Sequence, residues 1–178
     1  MILEQPSPPR TIMEVYQMLP EGTLAELING QIYMSPAPTN KHQRVLKVIL
    51  KLVDDFIIEN NLGELFVSPV DIYFDDHTNA VQPDLAFIAK GNPNQPTDYE
   101  PYQGSPDILV EFLSPTNDKH DLVTKKNLYE KFGVKEYWII DPTTKESLVY
   151  QLVDKKFMLT EKNTGTLFSP LFNHSFAF

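Results

Sequence analysis

The alternation of apolar and polar positions divides the chain into segments with distinct predicted structures. Residues 24–34 predict a hairpin, because two largely apolar runs flank Asn29-Gly30, a dipeptide typical of tight hairpin turns. Between residues 40 and 60, apolar side chains recur at spacings of three and four, which predicts one long helix. Gly63 then ends the helical pattern.

The middle of the chain predicts strands and one long loop. Strands are expected over about residues 65–74 and 82–88, with a polar turn between them. Residues 90–106 are rich in proline, glycine, asparagine and glutamine, and predict a long loop of the kind that serves a function or an interface. The run over residues 108–113, which is apolar except for Glu111, predicts a strand over 107–113 that is covered on both faces.

The order of elements in the second half of the chain indicates the fold class. A helix is expected over about residues 118–132, then a core strand at 137–140 and a hairpin over 146–162. Together these predict an α/β or α+β fold with a central mixed sheet flanked by helices, extended by the N-terminal hairpin and by C-terminal strands. We expect one domain, residues 1–178, with a flexible arm over residues 1–10.

Composition excludes several classes of protein. A hydrophobic content of 42% with 11% aromatic residues is incompatible with intrinsic disorder. No apolar run approaches the roughly 20 residues that span a bilayer, and the N-terminus lacks a secretory pattern, so no membrane partner is expected. The lack of cysteine excludes disulfides and thiolate–metal sites, and fits a cytoplasmic location. The net charge of −9 repels nucleic acid globally, so nucleic-acid binding requires a local basic patch or bound cations.

Two carboxylates in apolar surroundings are the first candidates for chemistry. Glu111 is the one charged residue in the run 108–113, and Asp84 lies in a similar run after Pro83. An ionised carboxylate in a protein core costs on the order of several kcal/mol unless a cation meets it. The expected partner is a metal ion, a lysine or an arginine.

Lys125 is the candidate cation. At about 100° per residue, it falls near the middle of the apolar arc of the predicted helix, a place that lysine normally avoids. Its side chain either extends along the helix into solvent or lies inward beside Glu111, where each charge offsets the burial of the other.

Strand parity places the two acids together if their strands are neighbours. Glu111 shares a strand face with Leu109, and Asp84 shares one with Ala86. Two carboxylates that leave coordination positions open for water and phosphate suit Mg²⁺ or Mn²⁺, the cofactor that we expect at this site.

The same residues resemble a known family. Pro83-Asp84, Glu111 and a lysine are similar to the PD-(D/E)XK phosphodiesterase superfamily, and a longer block is similar to the Uma-type restriction endonuclease family. The residues of this block are Pro106 to Pro115, Asp121, Lys125, Tyr129, Gly133-Val134 and Glu136 to Pro142. The hairpin over residues 26–32 and the segment Ser35 to Pro38 with His42 also match, so the resemblance covers roughly residues 20–145.

This resemblance implies a restriction-endonuclease-like core in which Asp84 and Glu111 hold Mg²⁺ or Mn²⁺. The usual motif has its lysine two residues after the glutamate, where this chain has Leu113. In the Uma-type pattern the lysine lies in the following helix, which matches Lys125, and Glu26 corresponds to an N-terminal acidic residue that often completes such sites. The implied activity is metal-dependent hydrolysis of phosphodiester bonds in nucleic acid, with DNA as the expected substrate and a homodimer as the expected assembly.

Each candidate also has a purely structural interpretation. Glu111 could form a structural ion pair, Asp84 could cap a strand, and Glu26 could be exposed on its hairpin. His42 falls on the apolar stripe of the long helix, where a histidine is typically a packing residue. Asp107 also follows a proline, but it lies on the Glu111 strand itself.

The long helix has four basic side chains on the side predicted to be exposed, namely Lys41, Arg44, Lys47 and Lys51. These side chains either form a solvated face or contact the backbone of DNA.

Three functions are compatible with the sequence. The first is a metal-dependent endonuclease. The second is a catalytically inactive relative that acts as a protein or nucleic-acid interaction module, which the acidic charge favours. The third is a metal-independent hydrolase with a carboxylate pair, such as a glycosidase, which leaves Lys125 unexplained.

Overall fold

A computed structural model describes residues 8–114 and 120–178, without the side chain of Asp121. The helices are α1 (Ile12–Gln17), α2 (Asn40–Asn60) and α3 (Lys126–Phe132), with a π-helical segment (His120–Lys125) directly before α3. The first strands are β1 (Ala25–Ile28), β2 (Gln31–Met34), β3 (Gly63–Val67), β4 (Ile72–Tyr73), β5 (Ala80–Val81), β6 (Leu85–Ala89) and β7 (Tyr102–Gln103). They are followed by β8 (Ile108–Phe112), β9 (Glu136–Ile140), β10 (Glu146–Val153), β11 (Lys156–Thr164), β12 (Thr166–Ser169) and β13 (His174–Ala177).

The described strands form a large mixed sheet and two smaller sheets. The large sheet has the order β11-β10-β9-β8-β6-β3, in which β8 and β9 run parallel and the other neighbours antiparallel. A second sheet has the order β2-β1-β5-β4-β7, and β12 pairs with β13. This architecture confirms the predicted fold class, including the N-terminal hairpin and the C-terminal strands.

Helices cover both faces of the large sheet. The apolar stripe of α2, including Ile49 and Val53, packs with Trp138 and the C-terminal hairpin on one face. On the other face, Leu128 and Tyr129 of α3 pack against neighbouring strands. All five residues of β8 are buried, as the sequence predicts for a strand covered on both sides.

Two segments of the chain pass from one sheet to the other at a proline. The strand expected over 65–74 is wrong as one continuous element, since β3 belongs to the large sheet and β4 to the second sheet. The strand expected over 82–88 is present as β6, whereas β5, which precedes it in the second sheet, was not predicted. Proline has no amide hydrogen for strand pairing, and Pro69 and Pro83 lie in the two breaks. The breaks are adjacent, because the Ser68 amide donates to the Asp84 carbonyl oxygen at 3.0 Å. Both segments therefore pass from one sheet to the other at the same place.

The segment after β8 is also different from its prediction. An α-helix over 118–132 is wrong for residues 120–125, which form a π-helix, and the expected start of the helix lies outside the described residues. The C-terminal end is as predicted, because Gly133 caps α3 in the left-handed conformation with a φ of 80°.

Three further predictions concern the N-terminal arm, the long loop over residues 90–106 and membrane-spanning helices. The first seven residues of the predicted arm lie outside the described residues, and residues 8–10 are exposed. The long loop over 90–106 contains only the two-residue strand β7, which pairs with β4. In the described part of the chain, no helix is both long and apolar enough to cross a membrane.

Replacing Gly63 by alanine should destabilise the protein by about 3 kcal/mol. A Cβ at this position would overlap the carbonyl oxygen of Ile88 and lie 2.9 Å from the Cα of Ala89. Gly63 pairs with Ala89 between β3 and β6, so neither backbone can move away without loss of pairing. Chemical denaturation measures the change. Gly91→Ala is the matched control, since nothing lies within 4 Å of its added Cβ, and equal losses in both variants would contradict the prediction.

Candidate active site

A cavity of about 560 Å³ lies where the chain passes from one sheet to the other, between β3 and β4 and between β5 and β6. Its floor contains three carboxylates, Glu26, Asp84 and Glu111, together with Lys125 and His42. Two proline-containing segments, residues 35–38 and 67–69, form parts of its walls. The cavity therefore collects all four residues that the sequence analysis selected as catalytic candidates, although these are distant from one another in sequence.

Lys125 lies between two of the carboxylates. Its Nζ is 2.9 Å from Oε1 of Glu26 and 2.9 Å from Oε1 of Glu111. The lysine is 5% exposed, so the alternative in which it extends into solvent is wrong. Since all three side chains are buried, each charge depends on the others for compensation.

Glu111 has a second fixed donor in Tyr129. The Tyr129 hydroxyl donates to Glu111 Oε1 at 2.8 Å, the same oxygen that faces Lys125. Burial, followed by the negative charges of Glu111 and Glu26, raises the pKa of the Tyr129 hydroxyl well above its ordinary value. The hydroxyl therefore keeps its proton and remains a donor across the physiological pH range.

Glu26 reaches the cavity from β1. The structural alternative that exposes it on its hairpin is wrong, because the residue is 3% exposed. Its Oε1 accepts a hydrogen bond from the backbone amide of Gln82 at 3.0 Å. Gln82 lies in the break between β5 and β6, so Glu26 provides the partner for an amide at this break. Burial alone would raise the pKa of Glu26, but Lys125, His120 and the Gln82 amide together hold it below its ordinary value. Glu26 is therefore ionised at neutral pH.

His120 is a site residue that the sequence analysis missed. Its Nε2 lies 3.6 Å from Oε2 of Glu26, which is an electrostatic contact rather than a hydrogen bond. In a π-helix the hydrogen bonds join residues five apart, so the segment brings His120 to the same side as Lys125. An α-helical periodicity would place the two residues on different sides, which is why the sequence pattern gave no signal for His120.

Asp84 occupies the break rather than a strand. It precedes β6 by one residue, so the expectation that it lies within a core strand is wrong. Its Oδ2 accepts from the Phe112 amide at 2.8 Å and faces Nε2 of His42 at 3.1 Å. β6 and β8 are neighbours, and Leu85 pairs with Val110, so Asp84 and Glu111 come from adjacent positions on paired segments.

Two other aspartates have structural roles outside the cavity. Asp107 accepts at Oδ2 from the Ala89 amide and from Asn92, both at 2.8 Å, and its Oδ1 lies 2.6 Å from Nζ of Lys135. Asp141 caps a turn by accepting from the Thr143 amide at 2.7 Å. Neither aspartate lines the cavity.

The donor set of the cavity fits a hard divalent cation with few protein ligands. Mg²⁺ commonly binds through one or two carboxylates and completes its coordination with water and substrate phosphates. No group of three or more His, Cys, Asp or Glu side chains arranged to hold a metal ion occurs within residues 8–114 and 120–178. Asp84 and Glu111 would be the two carboxylates for such a cation, and the described donors near Asp84 both act on its Oδ2.

The fold is that of a nuclease-like protein of known structure. The chain is similar to the crystal structure of a "putative nuclease belonging to DUF820" from Anabaena variabilis, with a TM-score of 0.71 and 21% sequence identity. The similarity covers 93% of this chain and 92% of that chain, and at this identity it establishes the fold alone.

The family follows from the sequence match. Residues 12–173 match the model of the Uma2 family, which is described as "Putative restriction endonuclease", so this chain belongs to that family. The family resemblance stated in the sequence analysis is thereby confirmed. No curated protein matches the chain.

Proposed function

We propose that the protein is a metal-dependent endonuclease that hydrolyses phosphodiester bonds, with DNA as its substrate. The observation that carries the proposal is the buried Lys125, held between Glu26 and Glu111 on the floor of a cavity that also contains Asp84. A family of restriction-endonuclease type and a nuclease-like fold support it.

Each residue of the cavity has a proposed role. Mg²⁺ or Mn²⁺, held by Asp84 and Glu111, would supply the positive charge that polarises a phosphodiester and makes water a better nucleophile. Lys125 orients the attacking water or offsets negative charge that develops on the phosphoryl oxygens. Glu26 holds the Lys125 ammonium group in place, and Tyr129 holds Glu111.

The chemical change itself is a simple hydrolysis. The attacking water loses a proton as its oxygen forms a bond to phosphorus, one ester P–O bond breaks, and the leaving oxygen takes up a proton, so that no net proton is gained or lost in these steps. No oxidant, reductant or second substrate is needed.

Cleavage of a substrate panel tests this function. Labelled single-stranded DNA, duplex DNA and RNA are incubated with the protein in Mg²⁺, in Mn²⁺ or in EDTA. We expect cleavage of DNA with a divalent cation, none in EDTA, and none by Asp84→Asn under matched conditions. Cleavage that persists in EDTA would contradict the proposal and favour a metal-independent hydrolase.

The exposed basic side chains of α2 form the proposed DNA-backbone contact. Lys41, Arg44 and Lys47 are exposed on the helix whose first turns line the cavity, whereas Lys51 is paired with Asp55 at 2.6 Å. In a chain with a net charge of −9, these side chains provide the local positive surface that binding of a polyanion requires.

The double charge reversal Arg44→Glu with Lys47→Glu should weaken DNA binding and flatten its salt dependence. Loss of two phosphate contacts lowers the slope of log affinity against log salt by about 2. Fluorescence anisotropy over a salt series measures both quantities. Lys155→Glu, in the exposed turn between β10 and β11, is the control. If it weakens binding as much as the α2 variant, the contact is not on α2.

A catalytically inactive interaction module is the second candidate. The net charge of −9 favours it, because most of the surface repels nucleic acid. Partner binding without turnover on any substrate of the panel would support this function.

By analogy with nucleases that act as dimers, in which each protomer cuts one strand, we also propose a homodimer, which light scattering tests. The lack of cysteine supports our proposal of a cytoplasmic location.

A further inference from the structure

His42 is a buried polar residue in the cavity that the proposed chemistry does not use. It lies in the first turn of α2, where its amide donates to the Thr39 side chain at 3.3 Å. The residue is 6% exposed, and its ring packs against Phe112 with a centroid distance of 5.4 Å. The ring is thus fixed from two sides, by the start of the helix and by an aromatic neighbour from β8.

The imidazole makes one polar contact that fixes its orientation. Nε2 lies 3.1 Å from Oδ2 of Asp84. A carboxylate oxygen can only accept a hydrogen bond, so Nε2 is the donor. The Phe112 amide donates to the same oxygen at 2.8 Å. Two donors from different elements, α2 and β8, therefore act together on Oδ2.

The two donors restrict the rotation of the Asp84 carboxyl group. With Oδ2 held against α2 and β8, Oδ1 is the oxygen left to bind a ligand in the cavity. Without the His42 contact, the Asp84 carboxylate would keep its hydrogen bond from the Phe112 amide but could rotate about that hydrogen bond. Groups that orient a metal ligand in this way commonly change metal affinity by about 10–100-fold when they are removed.

We propose that His42 is the positioning residue for Asp84, and that it presents Oδ1 to the divalent cation. This inference rests on the proposed metal-dependent function. His42 acts through Asp84 rather than as a ligand itself, because its Nε2 is engaged by the carboxylate and its Nδ1 is buried without a hydrogen-bond partner among the described residues. The imidazole thus offers no accessible nitrogen to a cation.

Binding of Mn²⁺ alone, measured by calorimetry, tests the inference with three variants. His42→Met fills most of the ring volume but has no donor, and we expect its Mn²⁺ affinity to fall by about 10–100-fold. His42→Gln restores a side-chain N–H, and we expect an affinity within about threefold of wild type. Leu46→Ala removes packing one turn further along α2, in the same cavity wall, and serves as the structural control. It should lower the melting temperature while Mn²⁺ affinity remains close to that of wild type.

The outcomes separate this inference from the proposed function. Wild-type protein that binds Mn²⁺ no better than His42→Met would overturn the positioning role alone and leave the metal site in place. An affinity loss in His42→Gln equal to that in His42→Met would also overturn it, because the donor would then be irrelevant. Wild-type protein that binds no Mn²⁺ would overturn both the metal-dependent function and the role of His42.

Discussion

Glu111→Gln should reduce DNA cleavage by about a thousandfold or more, the largest effect on activity that we expect from one substitution. Glutamine keeps the size of the side chain but removes the negative charge, and with it the several kcal/mol of transition-state stabilisation that a well-held cation supplies. Glutamine also places an amide donor in surroundings that already contain the Lys125 and Tyr129 donors. Single-turnover cleavage at saturating Mg²⁺ measures the loss.

Glu136→Gln is the matched control for this prediction. Glu136 is likewise a buried glutamate, on the strand β9 that pairs with β8, but it does not line the cavity. Burial raises its pKa despite hydrogen bonds from Trp138, Ser169 and the Leu171 amide. We expect this control to lose stability and to keep its turnover per folded molecule. Equal losses of turnover in both variants would indicate a general effect of core disruption.

Lys125→Met should cause the largest loss of stability, about 3–5 kcal/mol in the absence of metal. The substitution leaves Glu26 and Glu111 buried without the cation that lies 2.9 Å from each of them. Chemical denaturation in EDTA measures the loss. Addition of Mn²⁺ should restore part of it, because a ligand that binds only the folded state stabilises that state.

Lys162→Met provides the comparison with an exposed ion pair. Lys162 lies 3.0 Å from Glu146, and since Lys162 is exposed and Glu146 partly exposed, we expect a loss of only about 0–1 kcal/mol. A Lys125 variant that is as stable as the Lys162 variant would show that the buried lysine does not compensate the two glutamates.

Much of the fold was predictable from short-range patterns. The apolar stripe predicts α2 because the spacing that defines a helix can be read within one continuous segment. The structure has this helix over Asn40–Asn60, as expected. The wholly buried β8 follows from a run that is apolar except for Glu111. The break in the strand expected over 65–74 was not predicted because apolar residues lie on both sides of Pro69, although a proline within a strand pattern is itself a signal for a break.

The prediction of Lys125 used α-helical spacing in a segment that begins as a π-helix. It nevertheless selected the correct face, because Lys125 is the last residue of the π-helical segment and Leu128 and Tyr129 follow it in α3. The spacing from Lys125 to these neighbours is therefore α-helical. His120, five residues earlier, depends on the π-helical turn, and the sequence pattern alone does not indicate such a turn.

The surroundings of Glu26 could not be derived from local sequence. Its carboxylate meets the Gln82 amide and Lys125, which lie 56 and 99 positions further along the chain. The pairing of β1 with β5 brings Gln82 beside Glu26, whereas Lys125 reaches Glu26 from the π-helical segment, and both placements are properties of the complete fold. The family resemblance assigned Glu26 to the site. The sequence pattern of the hairpin that contains Glu26 was also compatible with an exposed side chain.

Calorimetric titration of wild-type protein with Mg²⁺ and Mn²⁺, alongside Asp84→Ala and Glu111→Ala, tests the proposed metal site most directly. We expect that wild type binds a divalent cation and that both variants lose this binding while remaining folded. Such a result would establish that the two carboxylates share one metal site. Binding that persists unchanged in either variant, or no binding by wild type, would contradict the metal-dependent mechanism and favour the inactive interaction module.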